Sequence, residues 1–341
     1  MKTKKVLVIT HVFSTFVQRD VAILEKKFKV KCHTYDGEKD LLSNFFAQIK
    51  LKIWLLRHIW TAYAVYIWFA DYHAFLPVLF ARIWRKKSFI VEGGYDTISL
   101  PELKYGSHVN PLRSKMSTFA MKHATLNLPV CETLIPEIKA IAPQATVQCL
   151  YTGYDAAIFT PGTKKEKIVL TVAGGNTLQR IRLKGVDIFI QVAQNMPEYR
   201  FIIVGIEEEG KNYLGQLPEN VFVIGKTPQK ELITYYQKAS IYAQFSMREG
   251  LPNAVCEAMM CKCVPVGFDA GGISVAIGDA GYIIKDKTIS QAVSVIRAAI
   301  DRVEELGPKA RERIIKMFPQ QLREKKLLDI LENPENTMKV I

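Results

Sequence analysis

Short unbroken apolar runs alternate along this chain with longer stretches in which apolar residues return every three or four positions. Residues 5–10, 64–69 and 88–91 are runs of the first kind, and the more mixed 30–35 and 125–128 read as strands beside them. Residues 16–27, 75–84, 113–122 and 132–141 are stretches of the second. A continuous apolar run predicts a strand covered on both faces, and the three-to-four spacing predicts an amphipathic helix. Strand, helix and strand over 5–35 make one βαβ unit, so the chain opens as an α/β protein with a parallel sheet. The rhythm halts at Thr152-Gly153-Tyr154-Asp155, where turn residues are followed by the polar segment 163–167. It then restarts, with strands over 167–172, 199–205, 221–225, 241–245, 263–267 and 281–284. Helices are expected from Val186, over 230–239 and over 292–306. A basic helical stretch, 311–331, carries Pro319, where a break is expected. Residues 333–341 read as a frayed tail.

The stretch 41–69 departs from this pattern. Leu42, Phe45, Phe46, Ile49, Ile53, Leu56 and Trp60 keep helical spacing, with Lys50, Lys52, Arg57 and His58 interleaved. Its longest uncharged run, 58–70, has 13 residues, whereas a membrane span needs about 20. Two uses fit: a crossover helix packed on the sheet, and a helix lying on a membrane surface with its aromatics in the interface and its cations on lipid phosphates. Both can hold on different faces.

Composition narrows the class. With 341 residues, 49% hydrophobic and 23% charged, the chain is long enough for about two domains, each with its own core. The net charge of +13 is uneven, since residues 1–150 carry 21 Lys and Arg against 11 Asp and Glu. Nucleic acid, an anionic membrane surface and phosphorylated ligands are the partners such charge serves. No helix-turn-helix, zinc-finger or RNP-like pattern stands in the sequence, so nucleic acid is not expected. None of the six cysteines forms a Cys-x-x-Cys pair, and they read as buried small hydrophobes. No signal peptide precedes the first strand, so the expected location is the cytoplasm, on the inner face of the cytoplasmic membrane if the surface helix binds it.

The chemistry concentrates in 246–259. Glu249 and Glu257 stand eight residues apart, with Gly250, Leu251, Pro252 and Asn253 between them. An apolar strand precedes this stretch and a helix begins within it. Free N–H groups and the helix dipole make such a loop an anion site, and Pro252 suits a helix start that needs no N–H there. Carboxylates flanking such a site suit the hydroxyls of a sugar or ribose. Upstream, Gly174-Gly175-Asn176 follows a strand, and Arg180, Arg182 and Lys184 crowd before Gly185. Gly205 ends another strand. In the first half, Ser14 and Thr15 follow the first strand without a glycine, which excludes a Gly-x-Gly-x-x-Gly fingerprint. Glu92-Gly93-Gly94-Tyr95-Asp96 follows the strand 88–91, where open α/β sheets bind ligands, although a plain turn would read the same.

These residues resemble glycosyltransferase family 4. The Glu-x7-Glu stretch with its Glu-Gly-Leu-Pro-Asn start, the element Lys184-Gly185-Val186-Asp187, and the linker from Thr152-Gly153-Tyr154-Asp155 to Phe159-Thr160-Pro161 match that family in order and interval. The resemblance covers about 147–290 closely and 1–35 more loosely. It implies an α/β fold of GT-B type, two Rossmann-like domains with parallel sheets facing a central cleft. The expected domains are 1–155 for the acceptor, 165–310 for the nucleotide-sugar donor, and a C-terminal helix, 311–341, packing back on the first. It implies a retaining transfer from a nucleotide-diphosphate sugar to a glycan or lipid-linked acceptor in envelope or exopolysaccharide synthesis, with no metal and no cofactor. Glu249 would act on the sugar, and Lys184 with Arg180 would meet the leaving diphosphate, Arg182 being a rival for that place. Gly174, Gly175, Gly205, Gly250, Leu251, Pro252 and Asn253 would line the donor, and Glu257 would hold the ribose. Ser14, Thr15, Glu92, Gly93, Gly94, Tyr95 and Asp96 would face the acceptor. One departure stands out: many relatives place a histidine where this chain has 92–96, and Asp96, Glu92 or a backbone carbonyl would have to substitute. His11, His73 and His108 read as loop or packing residues. Two other classes stay open, a GT-B epimerase and a degenerate sugar-nucleotide-binding or membrane-scaffolding protein; a phosphorylase would show a much longer chain and a cofactor-lysine motif, which this sequence lacks.

Overall fold

The computed structural model describes residues 4–37 and 40–333; the tail from 334 on lies outside them. The chain divides into two compact units. One comprises residues up to Thr152 together with those from Gln321 onward, and the other runs from Gly153 to Gln320.

In chain order the first unit holds β1 (Lys5–Thr10), α1 (Thr15–Glu25), β2 (Lys29–Thr34), α2 (Leu41–His58), β3 (Ala64–Trp68), α3 (Tyr72–Ile83), β4 (Lys87–Val91), α4 (Pro111–His123), β5 (Leu126–Asn127) and α5 (Ile135–Ile141). Its strands pair in parallel in the order β2-β1-β3-β4-β5. β1 and β3 are central, which is why their runs are unbroken: Val6 to Ile9 and Ala64 to Ile67 are wholly buried. Asp40 starts α2 through a reciprocal cap, accepting from the Ser43 N–H at 2.8 Å while Ser43 Oγ accepts from the Asp40 N–H at 3.1 Å. Beyond β5, Val147 makes an isolated parallel bridge to Asn127.

The second unit holds β6 (Glu166–Val172), α6 (Leu178–Leu183), α7 (Val186–Gln194), β7 (Arg200–Val204), α8 (Glu208–Lys211), β8 (Val221–Ile224), α9 (Gln229–Lys238), β9 (Ala239–Gln244), α10 (Asn253–Met260), β10 (Val264–Phe268), α11 (Gly272–Ile277), β11 (Tyr282–Ile284), α12 (Ile289–Ile300) and α13 (Val303–Met317). Its parallel sheet has the order β11-β10-β9-β6-β7-β8. Phe189 of α7 packs edge-on to Phe201 of β7 at 5.1 Å, and Phe245 meets Phe268 at 4.7 Å. Burying each such ring stabilises the unit by about 1.5–3 kcal/mol.

The single helix expected over 292–306 is two helices, parted at Asp301-Arg302. Gly307 does not end a helix. It lies inside α13 because a Cβ there would come within 2.8 Å of the Lys262 carbonyl oxygen. The basic stretch 311–331 does break at Phe318-Pro319, giving the end of α13 and α14 (Gln320–Glu332). α14 packs on the first unit through Arg323, whose guanidinium takes both oxygens of Asp20 at 2.7 Å and donates to the Leu150 and Tyr151 carbonyls. Asp20 also accepts from Tyr66 Oη and Trp68 Nε1 at 2.7 and 3.0 Å, so this buried carboxylate is fully used.

Candidate active site

In the second sheet the chain leaves β6 toward β7 on one side and later returns to β9 on the other. The point between β6 and β9 is a topological switch, where the loops after the strands part and leave room for a ligand. Among the expected residues, Gly174 and Gly175 follow β6 there and Glu249 follows β9.

Lys184 reaches this point through local geometry. Thr177 caps α6, its Oγ1 accepting from the Arg180 N–H. Lys184 closes that helix, and Gly185 follows with φ +66°, its α-carbon so near the Phe245 carbonyl that a Cβ would come within 2.1 Å. Only glycine fits, because the backbone is left-handed and the space is taken. The Met247 N–H also donates to the Leu183 carbonyl at 2.9 Å. The turn 183–185 is thereby pinned to the segment leading into Glu249, and Lys184 Nζ stands 2.7 Å from Glu249 Oε1.

Glu249 Oε1 receives two more donors. Ser246 Oγ lies at 2.7 Å and Gln244 Nε2 at 3.3 Å. Gln244 Nε2 also donates to Ser246 Oγ at 2.6 Å, and Gln244 Oε1 accepts from Tyr242 Oη at 2.9 Å. Tyr242 Oη in turn accepts the Val172 N–H at 3.2 Å. The network runs from the end of β6 to the carboxylate with donors and acceptors alternating correctly. Tyr242, Gln244 and Ser246 are buried. The Glu249 carbonyl accepts the Gly272 N–H at 3.0 Å, which fixes the backbone behind the side chain.

These partners of Glu249 were not singled out from sequence. The signal was present: Ser240, Tyr242, Gln244 and Ser246 are polar at every second position of an otherwise apolar strand. A strand's side chains alternate between faces, so such a set lines one face.

Gly250, Leu251 and Pro252 are buried ahead of α10, and Asn253 begins it. Asn253 Oδ1 accepts from Tyr154 Oη at 2.7 Å. Glu257 sits one turn into α10, 7% exposed, with Tyr236 Oη 3.4 Å from its Oε2. Gly205 lies beside Ala173 and Gly174. Arg180 and Arg182 are exposed and two positions apart on α6, hence about 200° apart around its axis. The stem of Arg180 lies against Gly175, whose Cβ would meet Arg180 Cβ at 2.5 Å. Arg182 projects elsewhere.

In the first unit the candidate residues gather at the C-terminal ends of β1 and β4. Ser14 and Thr15 start α1, and Ser14 Oγ is buried without a hydrogen-bond partner among the described residues. Phe69, at the end of β3, has φ +71°, and a Cβ on Gly93 would come within 2.3 Å of its ring. Asp96 is fully buried and accepts the Ala70 N–H at 3.0 Å and the Gly94 N–H at 2.9 Å, so it ties the two loops together. Burial pushes its carboxyl up to about 6. Glu92 is also fully buried, and burial, followed by the neighbouring Asp96 charge, raises its carboxyl well above the usual range. Tyr95 Oη accepts from Arg113 Nη1 at 2.6 Å, and Arg113 Nε pairs with Asp71 Oδ1 at 2.7 Å. His73 is packed inside, its Nε2 2.7 Å from the Trp68 carbonyl, and burial drives its imidazole down to about 4.

Residues 159–320 match the family described as "Glycosyl transferases group 1", so the second unit carries a domain of that class. The whole chain has the GT-B fold. It superimposes on a sucrose-phosphate synthase from Thermosynechococcus elongatus with a TM-score of 0.82 at 11% identity, covering 98% of this chain and all of that one. It superimposes on HepE of Anabaena, solved in complex with UDP and glucose, with a TM-score of 0.77 at 15% identity, covering 96% and 99%. In sequence it is 27% identical over 166 residues to a trehalose synthase from Pyrococcus horikoshii, a match spanning 43% of this chain and only 40% of that protein.

Proposed function

We propose that the protein transfers a sugar from a nucleotide-diphosphate donor to a hydroxyl acceptor, with retention at the anomeric carbon and without a metal, as a transferase of the family 4 kind. The observation that carries this reading is the pairing of Lys184 with Glu249 at the switch point of a group 1 domain, 2.7 Å apart and mostly shielded from water. As the bond between the anomeric carbon and the phosphate oxygen breaks, its electron pair leaves with the diphosphate. Fixed cations and the amides at the start of α10 are suited to meeting that charge. Lys184 takes this part, and Arg180 joins it rather than Arg182, since its stem runs along the Gly175 loop. Glu249, held by Ser246 and Gln244 through one oxygen, keeps the other for sugar hydroxyls and for positive charge developing on the ring. Glu257 holds the ribose, and Gly174, Gly205 and the 250–253 segment line the donor.

The first unit holds the acceptor, a glycan or lipid-linked glycan of the cell envelope. Asp96 and Glu92, both buried, shape the loop 93–95 from behind and leave its backbone and Tyr95 to face the acceptor. HepE was solved with UDP, so UDP-sugars are the first donors to try, followed by GDP- and ADP-sugars. Release of nucleoside diphosphate from at least one of these, undiminished by EDTA, is the expected outcome. No turnover and no nucleotide binding across the panel would reject the reading.

A further inference from the structure

Helix α2 is apolar on two opposite sides. One side is inside the first unit: Ala47, Leu51 and Leu55 are no more than 2% exposed, and Gln48 donates to Tyr35 Oη and the Tyr72 carbonyl. The other side faces water. Leu42, Phe45, Phe46, Ile49, Ile53 and Leu56 are between 38% and 72% exposed, and Trp60, just past the helix, is 63% exposed. At about 100° per residue these positions fall within an arc of about 100°, a continuous stripe along the helix. Exposed aromatic and aliphatic side chains in one contiguous patch mark a surface that is covered in use.

The charges decide what covers it. Arg57 and Lys50, the latter paired with exposed Asp36 at 3.1 Å, lie along one edge of the stripe and Lys52 along the other, a net positive surround. At its far end Trp60 meets Trp84 at 5.1 Å, Lys86 Nζ reaches the Trp60 carbonyl, and Arg85 is exposed. A second copy of this chain laid on the stripe would set like charges against like. An anionic bilayer suits it: apolar side chains enter the acyl boundary while the flanking cations reach up to lipid phosphates. No helix of the described residues is long and apolar enough to cross a membrane, and α2, with one side in the protein core, can only lie in the interface plane.

We propose that the exposed stripe of α2, with its Lys50, Lys52 and Arg57 flanks and the Trp60–Trp84 end, is a docking surface for an anionic lipid bilayer. This stands apart from the transfer reading, since vesicle binding needs no donor or acceptor. The test is co-sedimentation of the full chain with sucrose-loaded vesicles, phosphatidylcholine alone or mixed with phosphatidylglycerol, at low and high salt. Binding to the mixed vesicles that weakens with salt, and little binding to phosphatidylcholine, is expected. Phe45→Ser with Phe46→Ser lowers the partition coefficient by at least about tenfold. Lys52→Glu with Arg57→Glu lowers it by about fivefold per cation removed, or more. Every substituted side chain is exposed, and melting curves confirm that each variant stays folded. Absence of binding to mixed vesicles at low salt, or unchanged binding by both variants, overturns the proposal. So does a wild-type dimer that the Phe45→Ser, Phe46→Ser variant dissolves while vesicles remain unbound, which would make a second copy the occupant.

Discussion

Glu249 is held by three donors on one oxygen, so its orientation is set before any ligand arrives. Ser246 is the donor whose loss isolates that positioning, because Lys184 and Gln244 remain in Ser246→Ala. A hydrogen bond to a charged group contributes roughly 1.5–3 kcal/mol, so Ser246→Ala is expected to lower kcat by about tenfold or more. Its KM for the donor should change little, which steady-state kinetics on purified protein would show. In the first unit two buried groups oppose one another in pH. Asp96 has its carboxyl raised from 3.8 to about 6, so the folded state holds that proton more tightly. Its contribution to stability is full below 3.8 and is lost as the pH rises through about 6. His73 is lowered from 6.5 to about 4, so its contribution is present above 6.5 and is lost as the pH falls toward 4. Asp96→Asn removes one of the two raised carboxyls that oppose His73, Glu92 being the other. The melting temperature of that variant should therefore climb more steeply between about pH 4 and 6 than that of the wild type; parallel curves would show that Asp96 does not titrate in this window.

At the scale of elements, the central strands were readable because parallel strands buried on both faces are unbroken apolar runs, whereas the edge strand β2 is largely exposed and mixed in polarity. What escaped was short or misleading. α6 has six residues, two of them arginines, and gives too few turns for a period to register. The Gly307-Pro308 pair looks like a helix end, yet its glycine serves a close approach to Lys262 inside α13. The break at Pro319 was legible because proline lacks the N–H a helix needs. A C-terminal helix against the first domain is what the family resemblance implies, but the Asp20–Arg323 pair was not legible, since its members are 303 residues apart and nothing local pairs them. That ion pair is buried, with side chains 1% and 3% exposed. Removing one partner strands the other, so Arg323→Ala should destabilise the first unit by about 3–5 kcal/mol in urea unfolding. Adding Asp20→Asn should recover part of the loss. A cost under about 1 kcal/mol would mean the pair contributes nothing net.

At the scale of the molecule, two parallel α/β units could be read from one dimension, and so could the stretches that bring Lys184 and Glu249 together. Each segment involved, a strand end with its loop and the helix start that follows, is contiguous in sequence, although Lys184 and Glu249 themselves lie 65 residues apart. The acceptor side resists such reading. Its candidate residues come from the ends of β1 and β4, far apart in the chain, and the loop at 92–96 has its carboxylates buried where the family resemblance implies a histidine. The partners of Glu249 lie between these cases, legible as a period-two polar face but invisible to a search for motifs. The central claim is that Glu249 and Lys184 carry out sugar transfer from a bound nucleotide. It is tested most directly by following nucleoside diphosphate release from a saturating nucleotide sugar in wild type, Glu249→Ala and Lys184→Ala, with nucleotide binding measured alongside. Wild type should turn over, and both variants should stay folded. Glu249→Ala should still bind nucleotide yet turn over at least about a hundredfold more slowly, the usual cost of losing a group that stabilises transition-state charge. Full turnover in both variants would contradict the account.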